Sequence, residues 1–354
     1  VKTLEHLLIV DLSSVLAGPS VATFFAELGA RVIRFEKPGG DVTRGWKLPS
    51  EDAYAPVSAY YASVNYGKEI HAVDMRNSDE RRRIFDLLAE ADVLIQNYKA
   101  RDLERFELNP DVLRKRFPKL IHCHLRGFKD DPHRVAFDVV LQAETGWLSM
   151  NGTPDSGPVK MPVAMMDVLA AHQMKEAILQ ALYLRERDGK GAFIDASLEE
   201  AGIAALTNQG SNYLMAKHIP ERIGMQHPNI APYGDTFSCS DAKEVVLAVG
   251  SDAQFHKLCR FLDAAKAADD DKFATNAARV KNRRALINML SLHIAQVTSV
   301  DLLAFCHKEQ VPAGAVKNLE EVSETSAAQS MVREEEIEGT PTRRFTGVGY
   351  RMQR

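Results

Sequence analysis

The stretch "HLLIVDLSSVLAGPSVATFFAELGARVIRFEK" (residues 6–37) constrains the fold more than any other in the chain. An apolar run at 6–12 predicts a strand, and the Gly-Pro turn after it predicts a helix over 19–28 that Gly29 stops. A second apolar run at 31–36 predicts another strand. Two strands joined through a helix make a β-α-β unit, and the pattern recurs: "EIHAVDM" is strand-like, "DERRRIFDLLAEA" has the period of an amphipathic helix, and "DVLIQNY" has the continuous apolar character of a buried strand. "DVLRKRF" then predicts a helix and "KLIHCHLRGF" a strand. Strands alternating with helices predict an α/β fold with a mainly parallel sheet covered on both faces, as the large domain over 1–224.

From about 222 the character changes. Turn residues, a hairpin-like pair of runs around Ser240 and Asp241, and then helices predict a smaller α+β domain over 225–325. The tail 326–354 is polar, shows no clear element, and is expected to return toward the large domain. Residues 199–216 predict one helix. Residues 39–66 carry glycine, proline and aromatics without a sustained period, which suits an ordered excursion over a site.

Charge narrows the partners. With 44 Lys and Arg against 48 Asp and Glu, the formal charge is −4, so no global positive field favours nucleic acid or an anionic membrane surface. The Arg81-Arg82-Arg83 and Arg114-Lys115-Arg116 clusters lie on helical stretches beside acidic residues, as solvated faces do. The four cysteines are far apart and form no C-x-x-C, which disfavours a disulfide framework and suits a reducing cytoplasm. Neither a signal peptide nor a membrane span is expected.

Several chemistries fail on spacing. The first turn, "SSVLAGPS", has one glycine where a dinucleotide loop needs three, so NAD is disfavoured even though Glu36 closes the second strand. His122 and His124 share a strand face, but no third ligand follows at a metal-site spacing, and no metal is expected. No G-x-S-x-G elbow is present. Asp167, in "MPVAMMDVLAAHQ", opens a long helix that Gly189 ends. On residue type alone it reads first as a cap. Its other reading is an ionised carboxylate, kept charged by the helix N-terminus and available as a nucleophile toward an activated acyl group.

"AGPSVATFFAELGARVIRFEKPGGDVTRGW", "VNYGKEIHAVDM", "ADVLIQNY", the segment ending in "PVAMMD" and "ALYLRERDGKGAFIDASLEEA" together resemble the class III CoA-transferases, the family of formyl-CoA and carnitine CoA-transferases and of the 2-methylacyl-CoA racemases. The resemblance runs in order over residues 1–205 and more loosely to about 320. It implies a Rossmann-like domain without the dinucleotide loop, a smaller domain, and an interlocked, ring-like homodimer. It also implies that Asp167 attacks an acyl-CoA thioester, that an aspartyl anhydride and an aspartyl-CoA thioester follow, and that an acceptor carboxylic acid leaves as the new CoA ester. Coenzyme A would be substrate and product. By the same resemblance, Val15, Leu16, Ala17, Lys37, Arg76, Asn97, Tyr98 and Arg105 match its CoA-contact positions, and Phe137 would add a ring that packs near the CoA thioester.

Phe137 stands thirty residues before Asp167, where the racemases carry a histidine, and a phenyl ring relays no proton. Transfer is therefore favoured over racemisation, with an acyl-CoA racemase or isomerase and a non-catalytic acyl-CoA-binding protein as the alternatives. The family's glycine-rich loop is not recognisable in 206–224, and its "GFG" loop reads "GFKDDP" here. Arg44 and Arg222 are candidate partners for a substrate carboxylate on charge alone.

Overall fold

The computed structural model describes residues 3–353. Six strands form one parallel sheet: β1 (Leu8–Asp11), β2 (Arg31–Glu36), β3 (Lys68–Ala72), β4 (Val93–Gln96), β5 (Ile121–Arg126) and β6 (Phe193–Ser197). Their spatial order is β3-β2-β1-β4-β5-β6, and every neighbouring pair is parallel. Chain order reverses between β1 and β4, which opens a crevice beyond the carboxyl ends of those strands.

Successive side chains point to opposite faces, and both faces are apolar. Ile9, Val93 and Ile95 pack with the helices Ala17–Glu27 and Met165–Asp188, whereas Val10 and Leu94 pack with Ser78–Leu88 and the short helices after β4. The expected strands are therefore present, shortened at their ends. Gly18 permits the tight β1-to-helix turn, because a Cβ there would lie 2.4 Å from the Cβ of Ser13.

The chain divides into two compact units. The first comprises 1–148, 160–220 and 326–354, and the second comprises 149–159 and 221–325. Residues 149–159, expected with the first domain, group with the second unit, where Val159 and Gly224 bond to Asn151 and Gly152 respectively. The second unit holds β7 (Tyr233–Ser238), β8 (Glu244–Ala248) and β9 (Ala313–Ala315) as an antiparallel sheet around its own apolar core.

Two expectations are corrected. Residues 199–216 form two helices, Leu198–Ala204 and Thr207–Ala216, because Thr207 takes φ 41°, which a continuous helix excludes. The tail forms a hairpin of β10 (Val332–Ile337) and β11 (Thr340–Phe345). Its two-residue turn, Glu338-Gly339, has φ of 51° and 79°, the twist that matches flanking strands. No single helix among the described residues is long and apolar enough to cross a membrane.

Candidate active site

The crevice between β1 and β4 is a cleft of about 490 Å³, all of it within the first unit. The β1 exit supplies Ser14, Val15 and Ala17, the β4 exit supplies Asn97 and Tyr98, and the helix Met165–Asp188 supplies Asp167. Phe137 lines the same cleft. Of the residues anticipated for CoA, the fold thus brings Val15, Ala17, Asn97, Tyr98 and Phe137 together with Asp167. Leu16 is the N-cap residue of the first helix, next to the lining but outside it.

The three anticipated cations lie elsewhere. Lys37 is exposed after β2. Arg76 forms a bidentate pair with Asp74 at 2.8 Å, and the charge of Arg105 also acts on that carboxylate. The cations that line the cleft are Lys99, Arg126 and Arg134. Arg126 is held bidentately by Asp195 at 2.8 and 2.6 Å, and Arg134 pairs with Glu144. Lys99 is exposed. A lysine directly after "QNY" was the available signal, hidden by the ordinariness of a surface lysine.

Asp167 is not a cap. The helix begins at Met165, its N-cap is Ala164 without a side-chain bond, and Asp167 sits inside the first turn. The capping acceptor comes from another element: Asp138 Oδ1 takes the Met166 amide at 2.6 Å, and its Oδ2 takes Gln142 Nε2 at 2.6 Å. Asp138 opens its own helix, Asp138–Glu144, immediately after Phe137. Sequence reasoning missed it because its partner amide lies 28 residues away.

The expectation that Asp167 is held ionised is also corrected. Burial and the neighbouring Asp138 charge together push its carboxyl up to about 7, against the opposing pull of the Ala17 amide. The negative charge is felt in turn by Tyr60, whose phenol is pushed up to about 12 by burial first and by Asp167 next.

Asn97 is tied to the chain beside it. Its Oδ1 accepts the Ser14 amide at 3.0 Å, and its Nδ2 donates to the Ser14 carbonyl at 3.1 Å. The two histidines of β5 are buried and neutral: burial depresses His122 to about 3 and lowers His124, whose Nε2 lies 3.0 Å from the Tyr98 carbonyl. Among the described residues no group of three His, Cys, Asp or Glu side chains is placed to hold a metal.

Glu36, the residue that the adenosine ribose of a dinucleotide would require, is buried and accepts Arg34, Arg44 and the Tyr61 hydroxyl at 2.8, 2.7 and 2.6 Å. Arg44, considered for a substrate carboxylate, is committed to Glu36 and to both oxygens of Glu338 at 3.0 Å. Arg222 lies in the second unit and donates to the Ser149 carbonyl at 3.2 Å.

Comparison with known proteins gives a consistent picture. The family model described as CoA-transferase family III matches residues 4–354. The succinate–glutarate CoA-transferase of Agrobacterium fabrum is 36% identical over 326 residues, covering 90% of this chain and 81% of that protein. The succinyl-CoA:glutarate CoA-transferase of Mus musculus is 34% identical over 325 residues, covering 91% of this chain and 73% of that protein. Among solved structures, a CAIB/BAIF family protein from Brucella suis superimposes with a TM-score of 0.84 at 36% identity, covering 97% of this chain and 91% of that one.

Proposed function

Because this chain belongs to CoA-transferase family III, we propose that it moves CoA from an acyl-CoA to an acceptor carboxylic acid through covalent intermediates on Asp167. The observation that carries the reading is the placement of Asp167: a carboxylate with a raised pKa, in a cleft at the switch point of a parallel sheet.

The carboxylate oxygen of Asp167 attacks the thioester carbonyl, the C–S bond breaks, and CoA thiolate leaves a mixed anhydride. Thiolate then attacks the aspartyl carbonyl and expels the donor acid, giving an aspartyl-CoA thioester. The acceptor carboxylate attacks that thioester and expels thiolate. Attack of thiolate on the new acyl carbonyl forms the product and returns Asp167. Each step exchanges one activated acyl bond for another, so activation is retained throughout.

A raised pKa strengthens the nucleophile, since a more basic carboxylate is the better attacking group at the pH where it is ionised. Phe137 packs in the cleft where a racemase would need a base, which supports transfer over racemisation. For CoA, Val15 and Ala17 supply the wall beside the thioester, with Leu16 next to them outside the lining, and Asn97 and Tyr98 supply the floor. Arg76 and Arg105, which share Asp74, serve with Lys37 the phosphates. The names of the two relatives point to short dicarboxylic acids, and succinyl-CoA with glutarate is the pair to assay first.

The chain is further inferred to work as a homodimer: Leu214 and Met215, 71% and 86% exposed on the helix Thr207–Ala216, suit burial against a second copy.

The reading is tested by intact-mass spectrometry after incubation with succinyl-CoA and quenching with hydroxylamine or borohydride. A modification that maps to Asp167 is expected. Unmodified protein that still binds CoA would instead favour a binding role.

The pH dependence gives a second check. Attack needs the carboxylate, so kcat/KM is expected to fall about tenfold per pH unit below 7 and to level off above it. Asp138→Asn keeps an acceptor for the Met166 amide but removes the like charge, so this limb should move to lower pH. A wild-type limb near pH 4 would exclude the raised pKa as a feature of the working enzyme.

A further inference from the structure

The loop that leaves β1 contains a backbone conformation that its sequence does not favour. Val15 has φ 71°, a left-handed value that β-branched residues rarely adopt. Such a residue persists only where its surroundings over-determine it, and the surroundings here are explicit. Arg34 Nη1 donates to the Ser13 carbonyl at 3.0 Å. Asn97 brackets the Ser14 peptide groups, as described above. The Val15 amide donates to Asp41 Oδ2 at 3.0 Å.

Asp41 is itself immobilised. The same Oδ2 accepts Arg34 Nη2 at 2.7 Å, and Oδ1 accepts both the amide and the hydroxyl of Thr43 at 2.9 and 2.8 Å. Its own amide donates to Glu36 Oε2 at 3.1 Å. Asp41 and Arg34 are both buried, 7% and 0% exposed, so this clamp is desolvated and stiff. A glycine at position 15 would take the same φ without help. The chain instead places a valine there and a charged clamp on its amide, and two residues later Ala17, the first residue of its helix, lines the same cleft as Asp167, whose carboxyl its amide pulls downward.

We propose that Asp41 is a positioning residue for the reaction at Asp167: by accepting the Val15 amide it holds the Ser13–Ala17 loop in the left-handed turn that aims the Ala17 amide at the Asp167 carboxylate. The proposal rests on the reading of Asp167 as the nucleophile. Asp41 touches neither substrate nor reacting atoms; it acts through the loop.

The test uses the full chain with succinyl-CoA and glutarate, with wild type and Asp167→Ala run first. Failure of wild type to turn over, or activity in Asp167→Ala, overturns the nucleophile reading rather than this one. Asp41→Asn leaves one acceptor oxygen for the four donors that now share two, so the Val15 amide competes with Arg34 and Thr43, and kcat is expected to fall about tenfold to a hundredfold, the scale of a small misplacement of a reacting group. KM for succinyl-CoA should stay within about threefold, since the lost contact serves the reacting centre more than ground-state binding. The acid limb of kcat/KM should move upward, because Asp167 loses an amide that favours its charged form while Asp138 remains beside it. Tyr60, Lys99, His124 and the Arg126–Asp195 and Arg134–Glu144 pairs, the other titratable and charged groups around the cleft, all keep their own side chains in this variant.

Adding Val15→Gly in the Asp41→Asn background should raise kcat at least about threefold above Asp41→Asn alone, with any loss of the Val15 wall appearing in KM, because glycine reaches positive φ unaided. Val15→Pro leaves the ion cluster intact but removes the amide proton and fixes φ near −65°, and should reproduce the Asp41→Asn defect. That variant decides the matter alone if Asp41→Asn does not fold. Wild-type kcat with an unmoved acid limb in Val15→Pro, or no rescue by glycine, overturns the proposal.

Discussion

Replacing Asp167 by alanine is expected to lower CoA transfer by about 10³-fold or more while leaving CoA affinity within about threefold, because the substitution removes the attacking atom and little of the binding surface. The two halves of this result need separate measurements. Transfer from succinyl-CoA to glutarate is followed by product formation, and CoA binding by calorimetry. A stability measurement separates lost chemistry from lost fold, and its sign follows from the raised pKa. Folding lifts Asp167 from the ordinary carboxylate range to about 7, so the native state holds a proton that the unfolded chain has released between about pH 4 and 7. Stability contributed by this group therefore falls as pH rises through that window. Above pH 7 the buried charge opposes folding in full. Asp167→Ala should accordingly melt at or above the wild-type temperature at pH 8, with the advantage shrinking toward pH 5. Undiminished turnover in this variant would falsify the assignment of Asp167 as nucleophile.

The second large effect concerns the fold that carries the site. Arg34, on β2, is fully buried and bonds Asp11 at 2.9 Å, Glu36 at 2.8 Å and Asp41 at 2.7 Å. Lys68 adds a bond to Asp11 at 2.9 Å. Burial alone would raise Asp11, but Lys68 and Arg34 outweigh it and hold the carboxyl down at about 2. Arg34→Met keeps the length and apolar stem of the side chain but leaves three buried carboxylates short of a cation. Removing one partner from such a cluster costs about 3–5 kcal/mol, because the remaining charges stay desolvated. Thermal or denaturant unfolding at pH 7 should show a loss on that scale. The depressed pKa of Asp11 adds a pH signature: in wild type its stabilisation is present above about pH 4 and is lost only as pH falls through about 2. In Arg34→Met that loss should begin at higher pH. An unchanged melting temperature would mean that Lys68 and Arg44 suffice for the cluster.

Elements and site separate clearly in what was legible beforehand. Period and punctuation are local properties, and the local readings hold: the β-α-β unit over 8–36, the apolar strands at 93–96 and 121–126, and the long helix ended by Gly189 at φ 72°. The resemblance picked out Asp167, and the fold sets it in a cleft with Val15, Ala17, Asn97, Tyr98 and Phe137. Asp138 and Asp41 were invisible because each acts on an amide far along the chain, Met166 and Val15 respectively. No spacing rule links an aspartate to a backbone donor on another element. Arg44 was misread for the reverse reason, since its charge was apparent but its partners Glu36 and Glu338 were not.

What the sequence by itself determined is the succession of strands and helices, the absence of a dinucleotide loop, and the place of one aspartate at the start of a helix. Those follow from side-chain period, glycine and proline placement, and residue type, all of which act within a few positions. Only the tertiary structure decided the charge state and surroundings of that aspartate. Its pKa depends on burial and on Asp138, and the cations that line its cleft depend on which strand ends meet at the switch point. Electrostatic energy depends on distance through space and on the water excluded between groups, and neither is a property of position along the chain.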